Sequence, residues 1–333
     1  MTDQAGFALN LHRVAVPDPS ENACWSPLSV ASALSLAREA ARGRTRAELD
    51  ALLGDFDPAD SLDVPGLAVA NTLWASDRLV LNPGFSLASS VRRTDFRDHV
   101  TARKLINADV EQTTRGLIPE LLAQVSPDAV AYLVNALYLK AGWETPFQRG
   151  ATKPRLFHAP GGDVEVPTMT VTAELGHTRH DGWLTLGLPA TSGVEVLVLV
   201  PDWSLEQPLD PSVFEVDDSA RVALSLPEVD VRARFELTGT LQTVGVAALF
   251  SPAAQLSGLS PDALHVSEVV HEAVLRVDEK GLEGAAATAM GMTRGGRRLR
   301  EEPIVVTVDR PFLLAVRHAR SKAIYFLAQV ARP

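Results

Sequence analysis

The chain of 333 residues has one cysteine, Cys24, so no disulfide framework holds it together. Cys24 sits in a segment that reads as buried, where it serves as a small core hydrophobe. No apolar stretch approaches the roughly 20 residues that cross a bilayer as a helix. The opening Met1-Thr2-Asp3-Gln4 lacks a basic region followed by an apolar run. No secretory signal is visible, and the expected compartment is the cytoplasm. Positive charge is in short supply, with 31 Lys and Arg against 41 Asp and Glu and a formal net charge of -10. That balance argues against nucleic acid as the main partner. Repeats and low-complexity linkers are also missing, so a single domain over 1–333 is expected.

Signatures of catalysis are equally scarce. There is no P-loop, no Gly-x-Ser-x-Gly elbow and no Gly-x-Gly-x-x-Gly after a strand. His271-Glu272-Ala273-Val274-Leu275 begins like a zinc-protease motif, but Leu275 stands where the second histidine is needed. Ser29 and His271 can be imagined as a dyad. Both lie in segments that read as buried, and a structural hydrogen-bond cluster is the better reading. The expectation is a protein that is not an enzyme, with no catalytic residues, metal or cofactor.

What is present fits a globular protein with a substantial core: 46% hydrophobic residues and a mean hydropathy of +0.06. Phe7 to Val14 reads as a short helix stopped by Pro17 and Pro19. A helical run reaches about Arg42, with Val30, Leu34, Ala37 and Ala41 on one face. Thr45-x-x-Glu48 reads as a capping box opening the next helix, which ends near Gly54. Val69 to Trp74 reads as a strand, Asn82 to Phe85 as a helix start, and Lys104 to Thr114 as another helix. Ala131 to Leu139 is a continuous apolar run around Asn135, as in a strand buried on both faces. A buried Asn there must find partners or cost about 1–3 kcal/mol. Short strands separated by Gly or Pro turns follow, from Arg155 to Leu237. Leu241 to Leu249 reads as a helix, and Val266 to Val277 as a strand containing His271.

The most unusual stretch runs from Glu279 to Pro311. It opens Glu279-Lys280-Gly281-Leu282-Glu283-Gly284 and continues Ala285-Ala286-Ala287-Thr288 with few bulky side chains. Arg294, Arg297, Arg298 and Arg300 follow, before the strand-like run Ile304 to Val308. A connection longer than about 12–15 residues is usually functional or disordered. Its even positions, from Leu282 through Met292, are small or apolar, and the first charge to break that face is Arg294. Alternate residues of a strand face opposite sides of a sheet. The segment is therefore a loop able to enter a sheet, with an arginine as the bait at its end.

Glu279-Lys280-Gly281 and the small-residue run resemble the hinge of the serpins, the serine protease inhibitor superfamily, in the short, bacterial-type form. Asp309-Arg310-Pro311-Phe312 and Ile324 to Val330 are similar to the family's C-terminal signature, and Asn22 to Ser29 to its Asn-x-x-x-Ser-Pro-x-Ser segment. The resemblance covers nearly the whole chain, with pieces missing near 55–66 and 92–103. It implies an α+β fold: a large mixed central sheet, two further sheets, about eight helices and an exposed reactive-centre loop at about 279–303. It implies a shutter of Ser26, Ser29, Asn135 and His271 under the sheet, and Trp143 at the top of the opening. The implied partner is a target serine protease that cleaves the loop, which then inserts as a new strand and traps the enzyme. Counting along the loop places the bait at Gly295. Arg294 just before it suits a trypsin-like pocket, so the expected bond is Arg294-Gly295, with Gly296, Arg297 and Arg298 as alternatives and a dibasic site among them. Leu282 replaces the usual Thr or Ser, which leaves open a non-inhibitory serpin acting as a binding module. The shortened 55–66 region argues against heparin-type activation. A monomer is expected, and the family suggests an extracellular alternative to the cytoplasm.

Overall fold

The structure, a computed structural model, describes residues 4–55, 63–83, 85, 90–283 and 302–333. Among them the α-helices are five, Gln4–Ala15, Pro27–Ala40, Gly43–Leu53, His99–Thr113 and Thr238–Thr243. That is fewer than the eight or so the resemblance implied, although the class of fold is the expected one. Three short 3-10 turns add to them, at Thr191–Gly193, Pro211–Phe214 and Ala248–Phe250. Of the helix start expected at Asn82 to Phe85, Asn82, Pro83 and Phe85 are described and are not helical, while 86–89 lie outside the described residues.

The central sheet is mixed. In order it runs Val91–Thr94, Leu67–Ser76, Ala131–Leu139, Glu268–Asp278, Gly281–Leu282 and Ala141–Gly142, with Val229–Glu236 also paired to Glu268–Asp278. Its two central long strands, Ala131–Leu139 and Glu268–Asp278, are parallel. Every residue of Ala131–Leu139 is buried, as the apolar run required. Side chains alternate across the strand. Tyr132, Val134 and Ala136 share a core with Ala102, Ile106 and Val110 of His99–Thr113. Ala131 and Leu133 join a core with Val30, Ala31 and Leu34 of Pro27–Ala40. Asn135 has the parity of this second set, which aims its amide at the start of Pro27–Ala40.

The remaining strands lie in one hydrogen-bonded set of nine, in which the two further sheets that the resemblance implied share a strand. The 19-residue strand Gly162–His180 joins them. One end pairs with Lys153–Ala159 and Ser219–Pro227, the other with Trp183–Ala190. The capping box at Thr45 and Glu48 does not form. Gly43–Leu53 starts three residues earlier, behind Arg42, without a side-chain cap. Thr45 Oγ1 instead accepts from Gln255 N at 3.0 Å, and Glu48 Oε2 from the N–H groups of Ala247 and Ala248 at 2.9 and 2.7 Å. Both side chains are used to hold a distant segment, a tertiary demand that outweighs local capping.

Candidate functional site

Two features of the central sheet position the residues singled out in the sequence: a polar knot under its middle and a wedge at its top. Ala131–Leu139 and Glu268–Asp278 pair directly only from Tyr132 with Glu268 to Ala136 with Glu272. Within that ladder His271 stands opposite Asn135, and Asn71 of Leu67–Ser76 stands opposite Asn135 on its other side. His271 Nδ1 lies 2.7 Å from Asn135 Oδ1, and His271 Nε2 accepts from the Ser26 N–H at 2.9 Å. The second bond needs an unprotonated Nε2, so the proton sits on Nδ1 and is donated to Asn135. Asn135 Nδ2 donates to Ser29 O at 2.6 Å and to Asn71 Oδ1. Ser26 caps the helix start, its Oγ accepting from Ser29 N at 3.1 Å. The Ser29 hydroxyl is buried without a partner, so Ser29 joins the knot through its backbone. Asn71 was not singled out in the sequence; the signal was an amide inside the half-apolar run Val69 to Trp74.

Burial pushes the His271 imidazole down to about 3, against the opposing pull of its bond to Asn135. His12, on the buried face of the N-terminal helix, is likewise lowered to about 4 by burial, opposed by Gln329. Both rings are neutral in the fold, and an unfolded histidine titrates near 6.5. Their contribution to stability is therefore complete above pH 6.5. It is lost as the pH falls towards about 4 for His12 and about 3 for His271. Urea unfolding measured at a series of pH values will show an uptake of about two protons at pH 5 from these rings. A stability that stays level from pH 7 to pH 5 would rule this out.

Above the ladder the two central strands part, and the chain itself fills the top of the gap. Gly281–Leu282 pairs on one side with Val277 and Asp278 and on the other with Ala141 and Gly142. The turn leading in is held by Asp278, whose Oδ1 accepts from Lys280 N at 2.7 Å and Gly281 N at 3.2 Å. Trp143 braces it from the neighbouring strand, its backbone N–H donating to Lys280 O at 3.1 Å and its indole Nε1 to Asp278 O at 2.8 Å. Thr152 Oγ1 donates to the Glu279 carboxylate. Gly281 has φ +143, and a Cβ there would lie 2.1 Å from Ala141 O; only glycine fits so close to a neighbouring backbone.

Leu282 is 1% exposed and lies in the apolar core that also holds Ala141, Trp143 and Val277. Burying a leucine is worth about 1.5–3 kcal/mol, so the side chain helps to hold the first inserted pair in place. Glu283 ends it. Its backbone is left-handed at φ 54, and its N–H donates to Arg276 O at 3.2 Å. One carboxylate oxygen, Oε1, is buried without a partner, and burial raises the carboxyl's affinity for a proton. The rest of the expected hinge, Gly284, Ala285, Ala286, Ala287 and Thr288, lies outside the described residues. So do Arg294, Gly295, Gly296, Arg297 and Arg298. The described part thus brings Ser26, Ser29, Asn135 and His271 together at mid-sheet, and Glu279 to Glu283 together with Trp143 at its top.

No helix among the described residues is long and apolar enough to cross a membrane, and no group of three or more His, Cys, Asp or Glu among them could hold a metal ion. Residues 2–333 match the model of the family described as Serpin (serine protease inhibitor). Serpin A3-5 of Bos taurus is 34% identical over 365 residues, covering 98% of this chain and 87% of the relative. An alpha-1-antitrypsin-like protein of Tamias sibiricus is 30% identical over 367 residues, covering 99% and 87%. Among solved structures, human thyroxine-binding globulin complexed with its hormone superposes with a TM-score of 0.87 at 26% identity, covering 99% of this chain and 97% of that one. The thermophilic serpin tengpin in its native state gives 0.86 at 24%, covering 99% and 93%, a likeness of fold.

Proposed function

Since this chain belongs to the serpin family, we propose that it inhibits a serine protease as a suicide substrate, with 279–303 as the reactive loop of one domain spanning 1–333. The protease attacks the carbonyl of Arg294 and forms an ester with it, releasing Gly295 as a new N-terminus. The freed N-terminal part of the loop then enters the gap between Ala131–Leu139 and Glu268–Asp278, carrying the acylated enzyme with it. The observation that carries this reading is the pair Gly281–Leu282, already hydrogen-bonded between strands on both sides.

Entry beyond that pair needs two changes. The left-handed Glu283 must become extended, relieving a backbone state that costs about 1–3 kcal/mol and returning its buried carboxylate oxygen to water. The five-residue ladder at mid-sheet must then part, with its knot of Asn135 and His271. If the strand continues from Leu282, alternation places Gly284, Ala286 and Thr288 on the same inward face, where small side chains pass between packed strands. Arginine as bait points to a trypsin-like enzyme, with Arg297-Arg298 as the dibasic alternative. The inhibitor works as a monomer, without cofactor or heparin-type activation. The likeness to its relatives lends no support to the cytoplasmic placement, and extracellular action is the reading we favour.

A second reading is that the chain is a binding module cleaved without trapping. The likeness to thyroxine-binding globulin complexed with thyroxine favours it. Titrating trypsin with increasing protein separates the two. An inhibitor abolishes activity at near-equal molar amounts and holds it down. A binding module is cut at Arg294-Gly295 while trypsin keeps its activity.

A further inference from the structure

The nine-stranded sheet ends on Ile304–Thr307, which pairs in parallel with Ser219–Pro227 on one edge and with no strand on the other among the described residues. Beside this strand lies a groove of about 370 Å³. Its walls include the buried Leu184, Val200 and Val306. At its rim Ile304 is 43% and Val305 76% exposed. Single exposed apolar residues are ordinary; two side by side on an open strand edge, over an apolar-walled groove, mark an interaction surface. Two cations stand over it. Arg179 Nη1 pairs with Asp202 Oδ1 at 2.8 Å and Arg310 Nε with Asp309 Oδ1 at 3.1 Å, and their side chains remain 60% and 42% exposed.

We propose that this groove is a second docking surface for the protease that the loop engages, taking an apolar side chain flanked by a carboxylate from the enzyme's rim. The proposal rests on the protease-inhibitor reading. The occupant follows from where the loop ends: Glu302 and Pro303 lead straight into Ile304. Arg294 precedes Ile304 by ten residues, a reach of at most about 35 Å. A protease domain is roughly 40 Å across, so an enzyme held at Arg294 cannot sit far from the groove. Apolar contact there adds affinity that the loop alone does not supply. The arginines favour an enzyme with a carboxylate at that point and speed its approach.

The test compares Val305→Glu with Val305→Lys, at a side chain exposed enough to leave the fold intact, which thermal melts will confirm. Binding to trypsin whose active-site serine has been inactivated reports docking alone, and SDS-resistant complex formation with active trypsin reports trapping. Val305→Glu is expected to weaken docking about tenfold and Val305→Lys less than threefold, with the amount of protein needed per trypsin unchanged. Equal docking by both variants and the parent chain would overturn the proposal. So would a concentration-dependent dimer of the parent chain that Val305→Glu abolishes while docking stands, since the groove would then belong to a second copy. Docking that falls with Val305→Glu in a chain that never traps would keep the groove and remove the inhibitor reading.

Discussion

Cutting the Arg294–Gly295 bond is expected to raise the melting temperature by on the order of 20 °C. Among the described residues, the gap between the central strands is filled by Gly281–Leu282 at its top. Freed at one end, the loop can add some ten backbone hydrogen bonds at about 0.5–1.5 kcal/mol each, on the order of ten kcal/mol before apolar burial. One kcal/mol moves the midpoint of a domain of 150–250 residues by about 2–4 °C, and less in a longer chain. Calorimetry before and after limited trypsin digestion, with the cut mapped by mass spectrometry, measures the shift. A cut chain that melts where the intact one does has a loop that stays outside the sheet.

Asn135→Ala should be the most damaging single substitution at mid-sheet, lowering stability by about 4 kcal/mol. The lost amide leaves the buried Nδ1–H of His271 without its partner and takes one bond each from the Ser29 carbonyl and the Asn71 side chain. Each orphaned buried group costs about 1–3 kcal/mol, and Ser29, Asn135 and His271 have no exposure through which water could replace it. Because the same amide ties the two parallel strands at the point where they must part, the variant should also let the uncut loop enter on warming. Urea unfolding gives the first number. Loss of trypsin inhibition after mild heating, with the chain still intact by mass, reports the second. A variant within about 1 kcal/mol of the parent would show that the knot does not hold the sheet shut.

The apolar run Ala131 to Leu139 announced a strand buried on both faces because nothing in it needs water except one amide, and that amide implied partners nearby. The partners themselves come from residues far apart in the chain, at Ser26, Asn71 and His271. His271 and the serines were reached through family resemblance. Asn71 was passed over because a lone Asn in a short run carries no pairing information. At the loop's start, glycine at 281 was legible as part of a hinge, but its cause is the Ala141 carbonyl, which is brought there by sheet register. Leu282 read as an obstacle from size alone; in the structure it is buried in the core that holds Ala141, Trp143 and Val277. Local rules failed most clearly at Thr45 and Glu48, whose capping pattern was overridden by tertiary bonds to the segment from Ala247 to Gln255. Where short strands separated by turns were expected, Gly162–His180 runs on as a single strand.

The measurement to make first is the intact mass of whatever survives SDS after equal amounts of the chain and trypsin are mixed. An inhibitor of the proposed kind gives trypsin esterified to residues 1–294, together with a released peptide of residues 295–333. Free trypsin beside a fully cut chain, with no joined species at any time point, would contradict it.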